Sequence, residues 1–340
     1  MLDGDGSKSE GPEREVDIRA YVYLVLMVLI GSCTAPAAKF AVRELPTGLL
    51  PLIRFGVAGV FLLPIVGRRG DSLARLFRED FWRLALAAAL CVPVNQTFFL
   101  NGARLAPTSH VALIYASCPL FVLLMTVMMG QERLIPSRLA GVVASMAGVV
   151  VIGLDSFWRG GAGGQDTLRG DLLLVGAVAS WGAYLTASKP LIARHGPLTV
   201  LAGTFLAGTV LHLPVALVTM PGWAPLSNAS GAAWRGLLFL TLVVTLIGLT
   251  FQTLAMRRLD ASQVASFGNV APLLTVFWGV WLFGETVTPA LILGGVLTLG
   301  GILWTSRPAR GVAAEETDEI LSVSPEFDRL APIPIQPQSS

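Results

Sequence analysis

The chain has 340 residues, of which 54% are hydrophobic and only 14% are Asp, Glu, Lys or Arg, with a formal net charge of +2. A soluble domain carries about a quarter charged residues, so this composition excludes a disordered chain, a soluble enzyme and a nucleic-acid binder, which would need a basic face. The charges that exist cluster between long apolar runs, the pattern of a multi-pass membrane protein.

A helix needs about 20 apolar residues to cross the hydrocarbon core. Ten runs come close to or exceed that length: 20–42, 49–66, 83–103, 108–129, 137–154, 172–192, 198–220, 234–256, 261–283 and 289–305. The predicted fold class is therefore all-α integral membrane, with ten transmembrane helices. Residues 1–17 are rich in Gly, Ser, Glu and Asp, and residues 307–340 turn acidic and then rich in Pro and Gln; both are expected to be disordered tails. The Gly-rich stretch within 155–170 reads as a linker between a first unit, 18–154, and a second, 171–306. The first run is of spanning length and more runs follow it, so no cleavable signal is expected. Cys33, Cys91 and Cys118 all fall inside spans without paired spacing, and read as packing residues rather than disulfides or metal ligands.

Lys and Arg in short loops set orientation. With the N-terminus inside, the inner side collects Arg14, Arg19, Arg68, Arg69, Arg75, Arg78, Arg83, Arg133, Arg138, Arg194, Arg257 and Arg258, and the outer side only Arg43, Arg104, Arg159, Arg169 and Arg235. This bias predicts a cell-membrane protein with both termini cytoplasmic. Between the second and third spans, Leu73, Leu76 and Phe77 share a helical face among arginines, which predicts a short helix lying on the inner membrane surface.

The two sets of five spans resemble one another. With Pro119 aligned to Pro272, Thr97 meets Thr250, Arg104 meets Arg257, Ser109 meets Ser262, Glu132 meets Glu285, Pro136 meets Pro289, and Gly148 meets Gly301. A slightly shorter offset pairs Lys39 with Lys189 and Phe55 with Phe205. Five is odd, so the second unit sits upside down relative to the first. Inverted repeats of this kind mark secondary transporters with a site between the halves.

On these residues the chain resembles the drug/metabolite transporter superfamily, specifically its ten-helix branch with two EamA-type halves. The likeness runs from about Ala20 to Thr305. It is carried by the mid-span Pro119, the turn Gln131-Glu132-Arg133-Leu134 and the Gly-rich helix that follows, by Pro272, the turn Gly284-Glu285-Thr286 and a second Gly-rich helix, and by Ser180-Trp181-Gly182-Ala183-Tyr184 ahead of Lys189. The chain departs from many members in lacking an aromatic-Gly pair near Gly31. The resemblance implies transport of small metabolites, often export of amino acids.

Embedded charges are the first site candidates, because a Lys or Arg at the bilayer centre costs about 2.5–3.5 kcal/mol on insertion scales. Lys39, Arg54 and Lys189 qualify, and no Asp or Glu is expected deep in a span. The two lysines either snorkel to the nearer headgroup layer or flank the two mouths of a cavity and attract a carboxylate. Without a deep carboxylate to exchange protons for a cation, a neutral, zwitterionic or anionic substrate is favoured over a cationic drug. Asn95, Gln96, Tyr115, Ser117, Gln252 and Asn269 are polar residues that must find partners or face a wet cavity. Trp181 and Tyr184 are candidate aromatic walls. His110 and His212 are the embedded groups that titrate near neutral pH and are candidates for proton coupling. Glu132 and Glu285 read as helix-end structure. Pro119 and Pro272 are candidate gating kinks. Small-residue faces at Gly141, Ala144, Ser145 and Gly148 and at Gly294, Thr298 and Gly301 predict close helix packing, between the halves or in a homodimer.

No phosphate loop, His/Cys ligand cluster or Ser/His/Asp constellation stands in the sequence, so no enzyme activity, cofactor or metal is expected. The expected partners are a small-molecule substrate and the bilayer. Alternatives are a cationic multidrug exporter and a membrane scaffold without transport of its own. The topology predicts that a reporter fused after Ser340 reports from the cytoplasm; a signal outside the cell would overturn it.

Overall fold

A computed structural model describes residues 18–68, 72–128, 136–159, 161–220, 228–248, 251 and 270–305. The regular elements among the described residues are all helical. Seven helical stretches among them are long and apolar enough to cross a membrane: Val22–Val42, Leu49–Arg68, Phe81–Leu105, Thr108–Met125, Gln165–His195, Pro197–Thr219 and Gly231–Gly248. Shorter apolar helices at Leu139–Ile152, Ala271–Phe283 and Pro289–Gly301 fall where the remaining spans are predicted.

Several of these spans are composite, and proline explains most of the joins. The first is α1 (Ile18–Ser32) followed by α2 (Thr34–Val42). Pro36 has no N–H to give the Ser32 carbonyl four residues back. That carbonyl accepts instead from the Thr275 hydroxyl at 2.9 Å, and the Ser32 hydroxyl accepts from the Trp278 indole at 3.0 Å. After α3 (Leu49–Arg68) and the short α4 (Leu73–Glu79), the third span joins α5 (Phe81–Ala89) to α6 (Asn95–Leu105) through a π-wound segment, Leu90–Val94, that contains Pro93. The fourth divides into α7 (Thr108–Ala116) and α8 (Cys118–Met128) at Ser117, two residues before Pro119.

Next come α9 (Pro136–Arg159) and α10 (Gly161–His195). The stretch 155–170, expected as a linker, is thus helical on both sides of position 160, and Gly170 lies against Leu105 and Ala106 so closely that a Cβ there would collide. Then follow α11 (Pro197–Thr219), α12 (Gly231–Leu238) with its π-wound continuation Phe239–Gly248, α13 (Ala271–Phe283) and α14 (Pro289–Thr305).

The principal packing partners are α2 with α12, α6 with α10, α3 with α11, α7 with α13 and α9 with α14. Two apolar clusters result. One, around Ala38, Leu100, Ile114, Leu174 and Leu237, lies toward the predicted outer end. The other, around Leu62, Leu84, Leu191 and Phe205, lies toward the inner end. Leu76 is fully buried in the inner cluster, with Leu73 and Phe77 beside it. The apolar face of α4 therefore docks on the bundle, against α11, instead of on lipid as the sequence pattern suggested. Gly203 supplies the space: a Cβ there would meet Leu76.

The contact of α9 with α14 is made almost at backbone level. A Cβ on Gly148 would strike the Thr298 hydroxyl and the Gly294 carbonyl, and one on Gly301 would strike the Gly141 carbonyl and Ser145. The two small-residue faces thus meet each other within the chain. Gly148→Val should destabilise the protein by at least about 2 kcal/mol through overpacking, whereas Gly300→Val, with nothing within 4 Å, should not. Thermal unfolding in detergent measures both, and equal stability of the two variants would contradict the packing.

Candidate functional site

Within the spans the bundle holds a chain of polar side chains. Arg54, on α3, donates from Nε to Thr245 Oγ1 at 2.8 Å and from Nη1 to Gln96 Oε1 at 3.4 Å. Gln96 donates to Asn95 Oδ1 at 2.7 Å. The Asn95 amide donates to the Ala177 carbonyl at 2.7 Å and lies 3.3 Å from the Tyr115 hydroxyl and 3.4 Å from Ser180 Oγ. Phe99 packs edge-on against Tyr115, and Trp181 and Tyr184 stand together, Tyr184 buried beside Phe55 and Phe205.

Both helices that partner Arg54 contain a stretch wound wider than an α-helix. Pro93 cannot carry the helical ladder, and the Thr97 hydroxyl takes its carbonyl at 2.6 Å. In the second π segment the Thr245 hydroxyl takes the Leu240 carbonyl five residues back, at 2.8 Å. Such segments turn side chains out of regular register and recur at functional sites.

A guanidinium offers five N–H donors and stays charged. Both side-chain partners of Arg54 are neutral, its guanidinium lies 5.1 Å from the Phe55 ring, and no carboxylate bonds it among the described residues. The arrangement is a cation held in place with donors to spare.

The end predicted to face outward is tied across the two units. Lys39 Nζ meets Glu285 Oε1 at 3.1 Å and the Ala106 carbonyl at 3.2 Å. Glu285 also accepts from the Thr108 N–H at 2.6 Å and from the Ser109 N–H and hydroxyl, each at 2.9 Å. One carboxylate thus pairs a lysine and caps the first turn of α7. Burial alone would push the Glu285 carboxyl up, but the backbone N–H groups of Ser109 and Thr108 and the Lys39 ammonium outweigh it and hold it below the ordinary glutamate value. His110 Nδ1 meets both Asp171 oxygens at 3.0 and 3.1 Å. Glu44 receives the Ser230 N–H and hydroxyl, Asp155 receives the Thr288 hydroxyl, and the Gly48 carbonyl receives His212 Nε2 at 3.0 Å. At the opposite end Asp80 gathers His195 Nε2 at 3.0 Å, Arg83 at 3.1 Å and Arg194 at 3.2 Å. The His195 bond, ahead of the two arginines, holds the Asp80 carboxyl below the usual aspartate range against the effect of burial.

Of the sequence candidates, Arg54, Asn95 and Tyr115 come together, with Trp181 and Tyr184 alongside. Lys39 does not snorkel freely but is paired, and Lys189 is exposed at the inner end. His212 ties α11 to the turn before α3. Pro119 lies just past a helix break, and Pro272 stands in the first turn of α13. Gln252, Asn269 and Glu132 lie outside the described residues. Gln96, also a sequence candidate, joins Arg54, whereas sequence reasoning missed Thr245 and Asp171. Asp171 is one residue ahead of the apolar run of α10, which read as outside the membrane; a helix reaching back to Gly161 carries it inside the bundle. Among the described residues no group of three or more His, Cys, Asp and Glu could hold a metal ion.

The model of the EamA-like transporter family matches twice, at residues 18–154 and 168–307. The chain belongs to the EamA-like transporter family. It is similar to a probable terminal-alkyne amino-acid exporter of Streptantibioticus cattleyicolor, 30% identical over 289 residues, covering 85% of this chain and 93% of that protein. It is also similar to the aromatic amino acid exporter YddG of Ancylobacter novellus, 26% identical, covering 82% and 93% of the two chains. A crystal structure with a TM-score of 0.58 and 23% identity, covering 84% of this chain and 96% of the other, has the same fold. The family and the apolar helices make this a multi-pass membrane transporter.

The Glu285 junction yields an ordered pair of effects. Glu285→Gln strips charge from the α7 cap and leaves Lys39 without its carboxylate, which should cost about 2–4 kcal/mol. Lys39→Met should cost less, because Glu285 keeps its three bonds to Thr108 and Ser109. In the unsubstituted chain the Glu285 contribution is fully present above about pH 4.5 and is lost as pH falls through its lowered folded value. Thermal unfolding against pH checks both statements, and a reversed order would refute them.

Proposed function

We propose that this protein is a secondary transporter that moves a small polar metabolite bearing a carboxylate, an amino acid first, across the cell membrane by alternating access. The observation that carries this reading is Arg54, a cation within a span whose hydrogen-bond partners Thr245 and Gln96 are neutral, with spare donors in a fork that matches a carboxylate. Oxygen atoms of Asn95, Gln96 and Tyr115 lie beside it and can take a substrate ammonium. The likeness to the two exporters above favours an amino acid and the outward direction.

Two inverted five-helix halves underlie the motion in this proposal. The family unit occurs twice. Exchanging the first five predicted spans for the last five turns the pair α2–α12 into α6–α10, and returns α3–α11, α7–α13 and α9–α14 to themselves. That is the packing expected of a two-fold relation. In this reading the Lys39–Glu285 pair and its neighbours close the outer end in the present arrangement, while Lys189 is exposed. The sequence repeat equates Lys189 with Lys39. In the opposite state, the reading has Lys189 take the equivalent part at the inner end as the outer pair parts. Both termini are cytoplasmic in this orientation. Glu285 is held ionised at neutral pH, so it is a latch rather than a proton carrier. The His110–Asp171 pair is the proposed proton site.

Purified protein in liposomes should accelerate exchange of labelled amino acids. Arg54→Gln should reduce that flux by at least about tenfold, the loss of a charge-assisted bond, and Arg54→Lys by less. If neither amino acids nor organic acids moved, with or without a pH gradient, the substrate reading would fail. If Arg54→Gln left flux unchanged, the site assignment would fail.

A further inference from the structure

The corner between α4 and α5 carries charge that transport does not use. Arg78, Arg83 and Arg194 rim a depression of about 540 Å³, with Phe81 and Trp82 along its edge. Arg83 and Arg194 each give one nitrogen to Asp80 Oδ1, and both side chains remain more than half exposed. Asp80 is itself covered and shared with His195, so it forms the floor of the depression and leaves the outward guanidinium donors open. Arg75 is occupied by Glu79 on the same helix, and Arg78 has no carboxylate partner among the described residues. Below this rim the surface turns apolar. Trp82 is 81% exposed, Phe81 49%, and Leu86, one turn further into the span, 54%. Packing among the described residues leaves this indole bare, whereas the headgroup layer of a bilayer favours one.

We propose that this corner binds one anionic phospholipid, with its phosphate on the guanidinium groups of Arg78, Arg83 and Arg194 and an acyl chain along Trp82 and Leu86. Guanidinium forks match phosphate oxygens in a bidentate fashion. The apolar stripe runs directly from the cationic rim, which fits an amphiphile; a soluble anion would leave the stripe uncovered. The rim joins the start of α5 to the end of α10, so the bound lipid braces the two units where Asp80 already links them. The assignment to the cytoplasmic leaflet rests on the proposed orientation, while binding itself does not.

The test uses the purified full chain in dodecyl maltoside, where neither orientation nor transport matters. Dioleoyl phosphatidylglycerol should raise the apparent Tm by about 5 °C at saturation, and dioleoyl phosphatidylcholine should not. The Arg78→Gln/Arg194→Gln double variant should lose that shift. If the double variant does not fold, Arg78→Gln and Trp82→Ala, both at exposed positions, should each weaken the phosphatidylglycerol response at least about threefold. Equal shifts with the two lipids, an undiminished shift in the variants, or the full shift produced by glycerol 3-phosphate alone would each overturn the proposal.

Discussion

Hydrocarbon offers a charge no water, and the arrangement of this chain follows from that shortage. Most arginines escape it by standing in the loops. Lys39 and Asp80 meet it at the bundle ends, where opposite charges and capped helix turns absorb them. Arg54 meets it inside a span with neutral hydrogen bonds alone. In the proposed function, the carboxylate of the cargo supplies the missing counter-charge.

The same shortage governs the backbone. Proline releases a carbonyl wherever it enters a helix, and in lipid that carbonyl must be claimed. The Ser32 carbonyl, freed by Pro36, is claimed by Thr275 from another helix. The joins in the spans are therefore also the points where helices recognise one another. The Arg54 site lies between two such irregular segments, Leu90–Val94 and Phe239–Gly248.

Much of this was legible in the sequence because hydropathy and repeat spacing are properties of single residues and of fixed offsets. The membrane class, the EamA likeness, Arg54, Asn95 and Tyr115 came from those signals. What stayed hidden depends on distance in space. Lys39 and Glu285 stand 246 positions apart, and no local pattern links them. Glu285 read as helix-end structure, and it does cap a helix end, but that of α7 and not of its own neighbours. Leu73, Leu76 and Phe77 made a correct apolar face on α4, yet amphipathicity does not say whether lipid or protein will cover it; Gly203 on α11 decided for protein. Asp171 was missed because a span boundary drawn at the first apolar residue excludes the polar residue that a longer helix carries inside.

The glycine contact between α9 and α14 has a mechanical meaning. Two helices whose carbonyl oxygens and Cα atoms touch have no side-chain cushion to shear, so they cannot slide past each other without losing the contact altogether. They form a stator: one helix from each half, welded into a fixed post. In the proposed alternating access, that post is the pivot, and the helices farthest from it travel the most.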